Sequence, residues 1–279
     1  MASYEEVNAI CEFLRARVNI TPLVGIICGS GLGQLANRIV KPIIVPYKDI
    51  PGFPHTTVEG HKGNLVFGTL GGKNVMVMQG RFHTFEGYTQ QQITLPVRVM
   101  RLLGCEYFIA TNAAGGLHQN YDIGDIMVVK DHISIPALAG ISPLTGPNDE
   151  RFGPRFPALS NVYVKDLRDL TMHVAKKIGI GQLMHEGVYM CCCGPTYDTP
   201  AEARALRLLG ADVLGMSTTA ETTVAHHAGM RVLAISLVTN RNILDIDQVD
   251  KTDHEEVLEM SRCRGDTIAT LLTHIIAAL

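Results

Sequence analysis

The chain reads as one α/β domain over residues 1–279, a mixed twisted β-sheet flanked by helices. Three observations predict it. Short apolar runs of strand length alternate with segments of helical spacing. A hydrophobic content of 46% over 279 residues is enough for one large core. Candidate ligand-binding residues recur just past the ends of the apolar runs, where open α/β sheets place their ligands.

Tyr4, Val7, Ile10, Cys11, Leu14 and Val18 recur at three- and four-residue spacing and predict an amphipathic first helix. Residues 24–28 read as a buried strand running into a Gly/Ser cluster. Residues 65–70 and 75–79 read as a hairpin turned by Gly71-Gly72. Residues 90–103 are helical in pattern, with Pro96 expected to kink or break the run. Strands follow at 107–111 and 126–130, separated by a loop that opens with the small residues of 112–116, which let a backbone approach a ligand closely. The proline-rich stretch 136–157 predicts a long functional loop. A helix at 164–178 and a strand at 188–193 precede Thr199-Pro200-Ala201-Glu202, which carries a capping Thr, a first-turn proline and a first-turn acid. A strand at 213–216, a helix at 219–228, a strand at 232–238 and a final helix from about Thr252 complete the order.

A formal net charge of −3 with scattered charges argues against nucleic acid as a partner, because backbone phosphates require a basic face. The seven cysteines form no C-x-x-C pair of metal-binding type, and Cys191, Cys192 and Cys193 are consecutive, an arrangement that suits reduced thiols in a cytoplasmic protein. The first residues are neither cationic nor apolar, and no apolar run reaches membrane-spanning length. Neither secretion nor a membrane partner is expected.

Two stretches point to chemistry. Cys28-Gly29-Ser30-Gly31-Leu32-Gly33 follows one buried run and offers converging backbone N–H groups, while Arg81-Phe82-His83 follows another and offers a guanidinium fork and an imidazole. Together they suggest a site for free phosphate. Ala113, Tyr197-Asp198, Met216-Ser217, Thr239-Asn240 and His254 lie at comparable positions, so one composite pocket is expected. Taken singly, Ser217 and Asp198 equally suit helix caps, Asn240 a turn, and His254 a solvated position. A dinucleotide-binding reading of Gly29-x-Gly31 fails because Gln34 stands where a third glycine is required.

Seven blocks in register carry a wider likeness: residues 28–33, Pro54-His-Thr-Thr-Val-Glu-Gly-His61, Gln79-Gly-Arg-Phe-His83, Thr111-Asn-Ala-Ala-Gly-Gly116, Gly146-Pro-Asn-Asp-Glu-Arg-Phe-Gly153, Gly210-Ala-Asp-Val-Leu-Gly-Met-Ser217 and Thr239-Asn240. The chain thereby resembles the trimeric purine nucleoside phosphorylases from about Tyr4 to its last helix. The resemblance implies that inorganic phosphate, as co-substrate, attacks the anomeric carbon of inosine, guanosine or their deoxy forms, with neither cofactor nor metal. It implies phosphate ligation by Ser30, Arg81, His83, Ser217 and the Ala113 N–H. Tyr197, Asp198, Leu214, Thr239 and Asn240 would hold the base, and Phe85, Met216 and His254 the ribose, with Phe156 reaching over from a neighbouring subunit of a homotrimer. Asn240, Asp198, His83 and His254 are the catalytic candidates.

Four departures stand out against that family. Asp198 replaces a glutamate that accepts the purine N1–H, Tyr197 a phenylalanine, and Phe85 a tyrosine that bonds the ribose. Thr219-Ala220 replaces Val-Pro before Glu221, a change read as structural. The sister methylthioadenosine phosphorylases carry aspartate at the position of Asn240, so the asparagine favours 6-oxopurines. The shorter acid leaves open a shifted or broadened base preference, or a non-catalytic nucleoside- or phosphate-binding paralogue.

Overall fold

The computed structural model describes residues 3–248 and 254–279. Nine strands and seven α-helices are assigned among them. The helix α1 (Tyr4–Arg15) opens with a capping box between Ser3 and Glu6 and buries Val7, Ile10, Cys11 and Leu14. Strand β1 (Val24–Cys28) is buried along its whole length. After the edge strand β2 (Val40–Pro46), β3 (Asn64–Leu70) and β4 (Lys73–Gln79) form the expected antiparallel hairpin, with Gly71 and Gly72 both at positive φ.

Helix α2 (Gln90–Leu102) runs unbroken through Pro96, so of the expected kink or break, the break does not occur. Its burial explains the outcome. Residues 93–100 are all buried, so packing outweighs the hydrogen bond that proline forfeits.

Strand β5 (Tyr107–Gly116) is twice as long as its apolar run, and the presumed loop 112–116 lies within it. Parallel pairing with β9 (Arg231–Arg241) continues along that whole stretch and overrides the local signal of alanines and glycines. Between them come β6 (Ile126–Ser134), the four-residue α3 (Ile135–Leu138), α4 (Lys165–Lys177), β7 (Met184–Cys191), α5 (Pro200–Leu208), β8 (Val213–Gly215) and α6 (Thr219–His227). Much of the proline-rich stretch beyond α3 is irregular, as expected. The final helix α7 (His254–Ala277) is described from His254 onward, and the expected start at about Thr252 lies outside the described residues.

The sheet order is β2-β3-β4-β1-β5-β8-β7-β6-β9, with β9 returning to pair with β5. Five strands therefore close on themselves, which the expected mixed sheet did not anticipate. Apolar clusters pack on both sides: one beneath α1, α2 and α6, the other beneath α4 and α7. The mouths of β1, β4, β5, β8 and β9 open onto one side, and there the pocket forms.

Candidate active site

A cavity of about 480 Å³ lies at these strand mouths. Ser30, Arg81, His83, Ala113 and Ser217 line it, together with Phe85, Tyr197, Asp198, Leu214, Met216, Thr239, Asn240 and His254. Residues scattered from the first strand to the last helix thus meet in one place. Phe156 is the exception. It stands 87% exposed on the proline-rich loop and is absent from the cavity of this chain.

One end is built for an anion. Arg81 follows β4 and is almost wholly buried, with a fork that is already engaged: Nε and Nη2 donate to the two carboxylate oxygens of Glu221 at 3.0 and 2.9 Å, and Nη1 donates to the Thr111 carbonyl at 2.6 Å. The Nε–Nη2 edge of the fork is therefore taken up within the protein. Each terminal nitrogen keeps one further N–H, since a guanidinium carries five. Gly29 permits this placement, because a Cβ there would lie 2.8 Å from the Thr111 carbonyl oxygen and 3.0 Å from Nη1 of Arg81.

His83 is held just as firmly. Its Nδ1–H and backbone N–H both donate to Oε2 of Glu86, at 3.0 and 2.8 Å, which leaves Nε2 as the free ring nitrogen. Burial raises the Glu86 carboxyl, but the His83 ring and the N–H and hydroxyl of Thr57 outweigh it and hold the group down at about 2. The carboxylate behind the ring fixes its tautomer and orientation, with the proton on Nδ1.

Ser30 Oγ lies 3.2 Å from Nε2 of His61, whose Nδ1 faces the Arg81 backbone and the Thr56 hydroxyl. Burial, with His83 and Arg81 nearby, pushes His61 down to about 3, so it is neutral at ordinary pH.

Ser217 sits before α6 and does not cap it. The N-cap is Thr218, which adopts φ +72° and takes a 2.9 Å hydrogen bond from the Asn112 amide. Such a backbone costs about 1–3 kcal/mol and persists only where surrounding contacts enforce it. It turns Ser217 toward the cavity.

The other end presents amides and an acid. In the β5–β9 ladder Ala114 pairs with Val238 and Gly115 with Asn240, so Thr239 is an extra residue. The bulge re-aims the strand where it enters the pocket. Thr239 donates to Oδ1 of Asn240 at 3.1 Å, orienting the amide so that its buried Nδ2 has no partner in the protein. Asp198 precedes α5 but does not cap it, since Thr199 and Glu202 form the capping box. Burial raises the Asp198 carboxyl, and the Cys192 thiol beside it opposes the rise.

Comparison with known proteins bears on this arrangement. Residues 23–277 match the model of the phosphorylase superfamily. A purine nucleoside phosphorylase of Rattus norvegicus is 44% identical over 277 residues, covering 99% of this chain and 96% of its own. The chain belongs to the purine nucleoside phosphorylase family. A Schistosoma mansoni purine nucleoside phosphorylase solved with inosine superposes with a TM-score of 0.96 at 47% identity, covering 99% of this chain and 97% of the other. Isoform 2 from the same organism, solved with cytosine and ribose-1-phosphate, gives 0.95 at 44%, with 99% and 97% covered.

Behind and beside the pocket, sequence reasoning passed over Glu221, Glu86 and His61, which hold Arg81, His83 and Ser30 in place. His61 was legible as the last residue of a quoted block, whereas Glu221 had no local signal. Phe85 does line the pocket, and its ring stacks on His83 at 4.5 Å between centroids. Cys192 and Asn242 also line the cavity and were not singled out as site residues.

Proposed function

We propose that this protein catalyses the reversible phosphorolysis of purine ribonucleosides and deoxyribonucleosides, with inosine and guanosine as the principal substrates. The observation that carries the reading is one cavity with a cationic, hydroxyl-lined end and an opposite end that offers a buried amide N–H without a protein partner. A phosphate and a purine fit those ends, with the sugar between them.

Phosphate would take hydrogen bonds from Ser30, Ser217, His83, the remaining N–H groups of Arg81 and the Ala113 N–H. With Nδ1 of His61 accepting from the Arg81 N–H, its Nε2–H donates to Ser30 and leaves the serine proton for the anion. A phosphate oxygen forms the new bond to C1′ as the C1′–N9 bond breaks, and the bonding pair leaves with the base. The base therefore gains negative charge in the transition state, and an Asn240 N–H aimed at N7 stabilises it there more than in the ground state. Asp198 accepts from N1–H, Tyr197 stacks on the base with Leu214 and Thr239 alongside, and Phe85, Met216 and His254 meet the ribose.

A homotrimer belongs to the same proposal, with Phe156 closing a neighbour's sugar site, as does a cytoplasmic setting, which suits the seven unbridged cysteines. Among the described residues, no helix is long and apolar enough to cross a membrane.

A second reading, a broadened base range, draws support from Asp198, whose short side chain reaches less far than a glutamate. The test is release of hypoxanthine from inosine in metal-free buffer with and without phosphate. Cleavage that needs phosphate and yields ribose 1-phosphate supports the proposal, and equal cleavage without phosphate makes the protein a hydrolase. Relative rates on guanosine, adenosine, methylthioadenosine and cytidine then separate the two base ranges.

A further inference from the structure

We infer that Asn242 reads the six-position of the base, its amide N–H donating to the exocyclic oxygen of a 6-oxopurine. The inference rests on the proposed placement of the base at Asn240. Asn242 is the first residue past β9, and its backbone N–H donates to the Gly116 carbonyl at 3.0 Å, so the β5–β9 pairing runs on through it. Side chains two apart on an extended strand share a face, which sets the Asn242 amide beside that of Asn240.

Register brings both amides to one spot. Gly115 pairs with Leu214 on one side and with Asn240 on the other, so these three residues form a row across β8, β5 and β9 at the cavity wall. Asn242 folds over the same glycine. A Cβ on Gly115 would lie 2.3 Å from Oδ1 of Asn242 and 3.1 Å from Nδ2 of Asn240, so the missing side chain is what leaves room for the two amides together. Both asparagines line the cavity, and each has a buried Nδ2 without a hydrogen-bond partner in the protein.

A buried N–H that meets no acceptor costs free energy, so two such nitrogens at one wall call for a ligand that supplies two acceptors side by side. A 6-oxopurine does so along one edge, with N7 in the five-membered ring and O6 next to it. With Asn240 on N7, the neighbouring O6 falls to Asn242. Oδ1 of Asn242 is the atom turned onto Gly115, which leaves the nitrogen for the ligand. A 6-aminopurine carries an N–H₂ in place of O6 and would meet this nitrogen donor to donor. Asn242 thus favours 6-oxo bases by a contact separate from that of Asp198 at N1.

The test is calorimetric binding of hypoxanthine and of unsubstituted purine, which lacks O6, to full-length wild type, Asn242→Ala and Asn242→Asp. Loss of one neutral hydrogen bond should weaken hypoxanthine by about three- to ten-fold in Asn242→Ala while purine binding holds. Asn242→Asp keeps the shape of the side chain but sets a group that only accepts against O6, so hypoxanthine should weaken at least about ten-fold relative to purine. The kcat/KM for inosine should fall in step, with the phosphate KM unmoved. Equal losses on the two bases would make Asn242 a merely structural residue, and hypoxanthine affinity unchanged in both variants would remove it from the base. Either result overturns the inference and leaves the proposed function standing. Wild-type protein that binds neither base would overturn both.

Discussion

Arg81 and Glu221, 140 residues apart along the chain, form a two-point ion pair at 3.0 and 2.9 Å with both side chains at most 2% exposed. A buried pair of this kind is weak support for stability as a whole, but removing one partner strands the other charge. Glu221→Ala should therefore lose about 3–5 kcal/mol in denaturant unfolding. Arg81→Ala removes a cation from the proposed phosphate end as well, and should raise the phosphate KM at least about ten-fold, the equivalent of one charged hydrogen bond. A phosphate KM unchanged in folded Arg81→Ala would remove this residue from the anion site.

Gly29→Ala tests the same corner without deleting a charge. The new methyl would press on the Thr111 carbonyl at 2.8 Å and on Nη1 of Arg81 at 3.0 Å, and the carbonyl belongs to a buried strand that cannot easily give. Overpacking of this sort costs about 1–3 kcal/mol. The expected outcome is a lower midpoint of unfolding together with a raised phosphate KM and a nearly unchanged nucleoside KM.

His61 makes the fold sensitive to acid. Its ring is held at about 3 by burial, whereas in the unfolded chain it returns to the ordinary histidine value near 6.5. Between those limits the unfolded chain binds a proton that the folded chain refuses. The stability due to the neutral ring is thus complete above about pH 6.5 and is lost as pH falls, by up to about 1.4 kcal/mol per unit. Glu86, held at about 2, adds a loss of the same sign below pH 4.5. Comparing unfolding free energies of wild type and His61→Asn from pH 7 to 5 should show the shallower slope in the variant, and parallel slopes would refute the burial argument.

What the sequence made legible follows from the range of the interactions involved. The β3–β4 hairpin and the α5 capping box were read correctly because a few neighbouring residues encode each. The run from Asn112 to Gly116 was misread as a loop because its small side chains carry no strand signal, and its pairing with β9 comes from residues more than a hundred positions away. The closure of β9 onto β5 is invisible for the same reason. At the site, the motif residues on the strand mouths were found, but the carboxylates that orient them were not. Glu221 looks like an ordinary first-turn acid, and only the fold brings Arg81 to it. Likewise the aim of Asn240 depends on the extra Thr239 in a ladder, which no one-dimensional pattern records.

Asn240 should set the choice of leaving group. Thr239 occupies its carbonyl oxygen, so the amide meets the base as an N–H donor, which suits the developing negative charge on N7 of a 6-oxopurine. A carboxylate at this position can only accept, and so favours a base protonated at N7, as a 6-aminopurine requires. In Asn240→Asp the ratio of kcat/KM for inosine over adenosine should fall by roughly ten-fold or more, the loss of a hydrogen bond to a charged group. An unchanged ratio in a folded variant would show that another residue selects the base.

Phe156 should act on a site that is not its own. The loop is anchored beside it: Phe152 is buried against Tyr4 and Arg98, His227 Nε2–H donates to the Pro154 carbonyl at 3.0 Å, and the Asn148 amide donates to Gly153 at 3.0 Å. Yet Phe156 projects with 87% of its surface exposed, the Arg155 guanidinium standing over its ring at 5.6 Å. This outward aromatic on a fixed base would enter the neighbour's sugar site in the proposed homotrimer. In the proposed homotrimer, Phe156→Ala should keep the phosphate KM and the oligomeric mass while raising the nucleoside KM. The sharper measurement mixes Phe156→Ala with Arg81→Ala after partial unfolding and reassembly. A mixed trimer brings an intact phosphate site from one subunit under an intact Phe156 from the other, so activity should exceed that of either variant alone. Additive activities in verified mixed oligomers, or full activity in a monomer at assay concentration, would place the sugar site within a single chain.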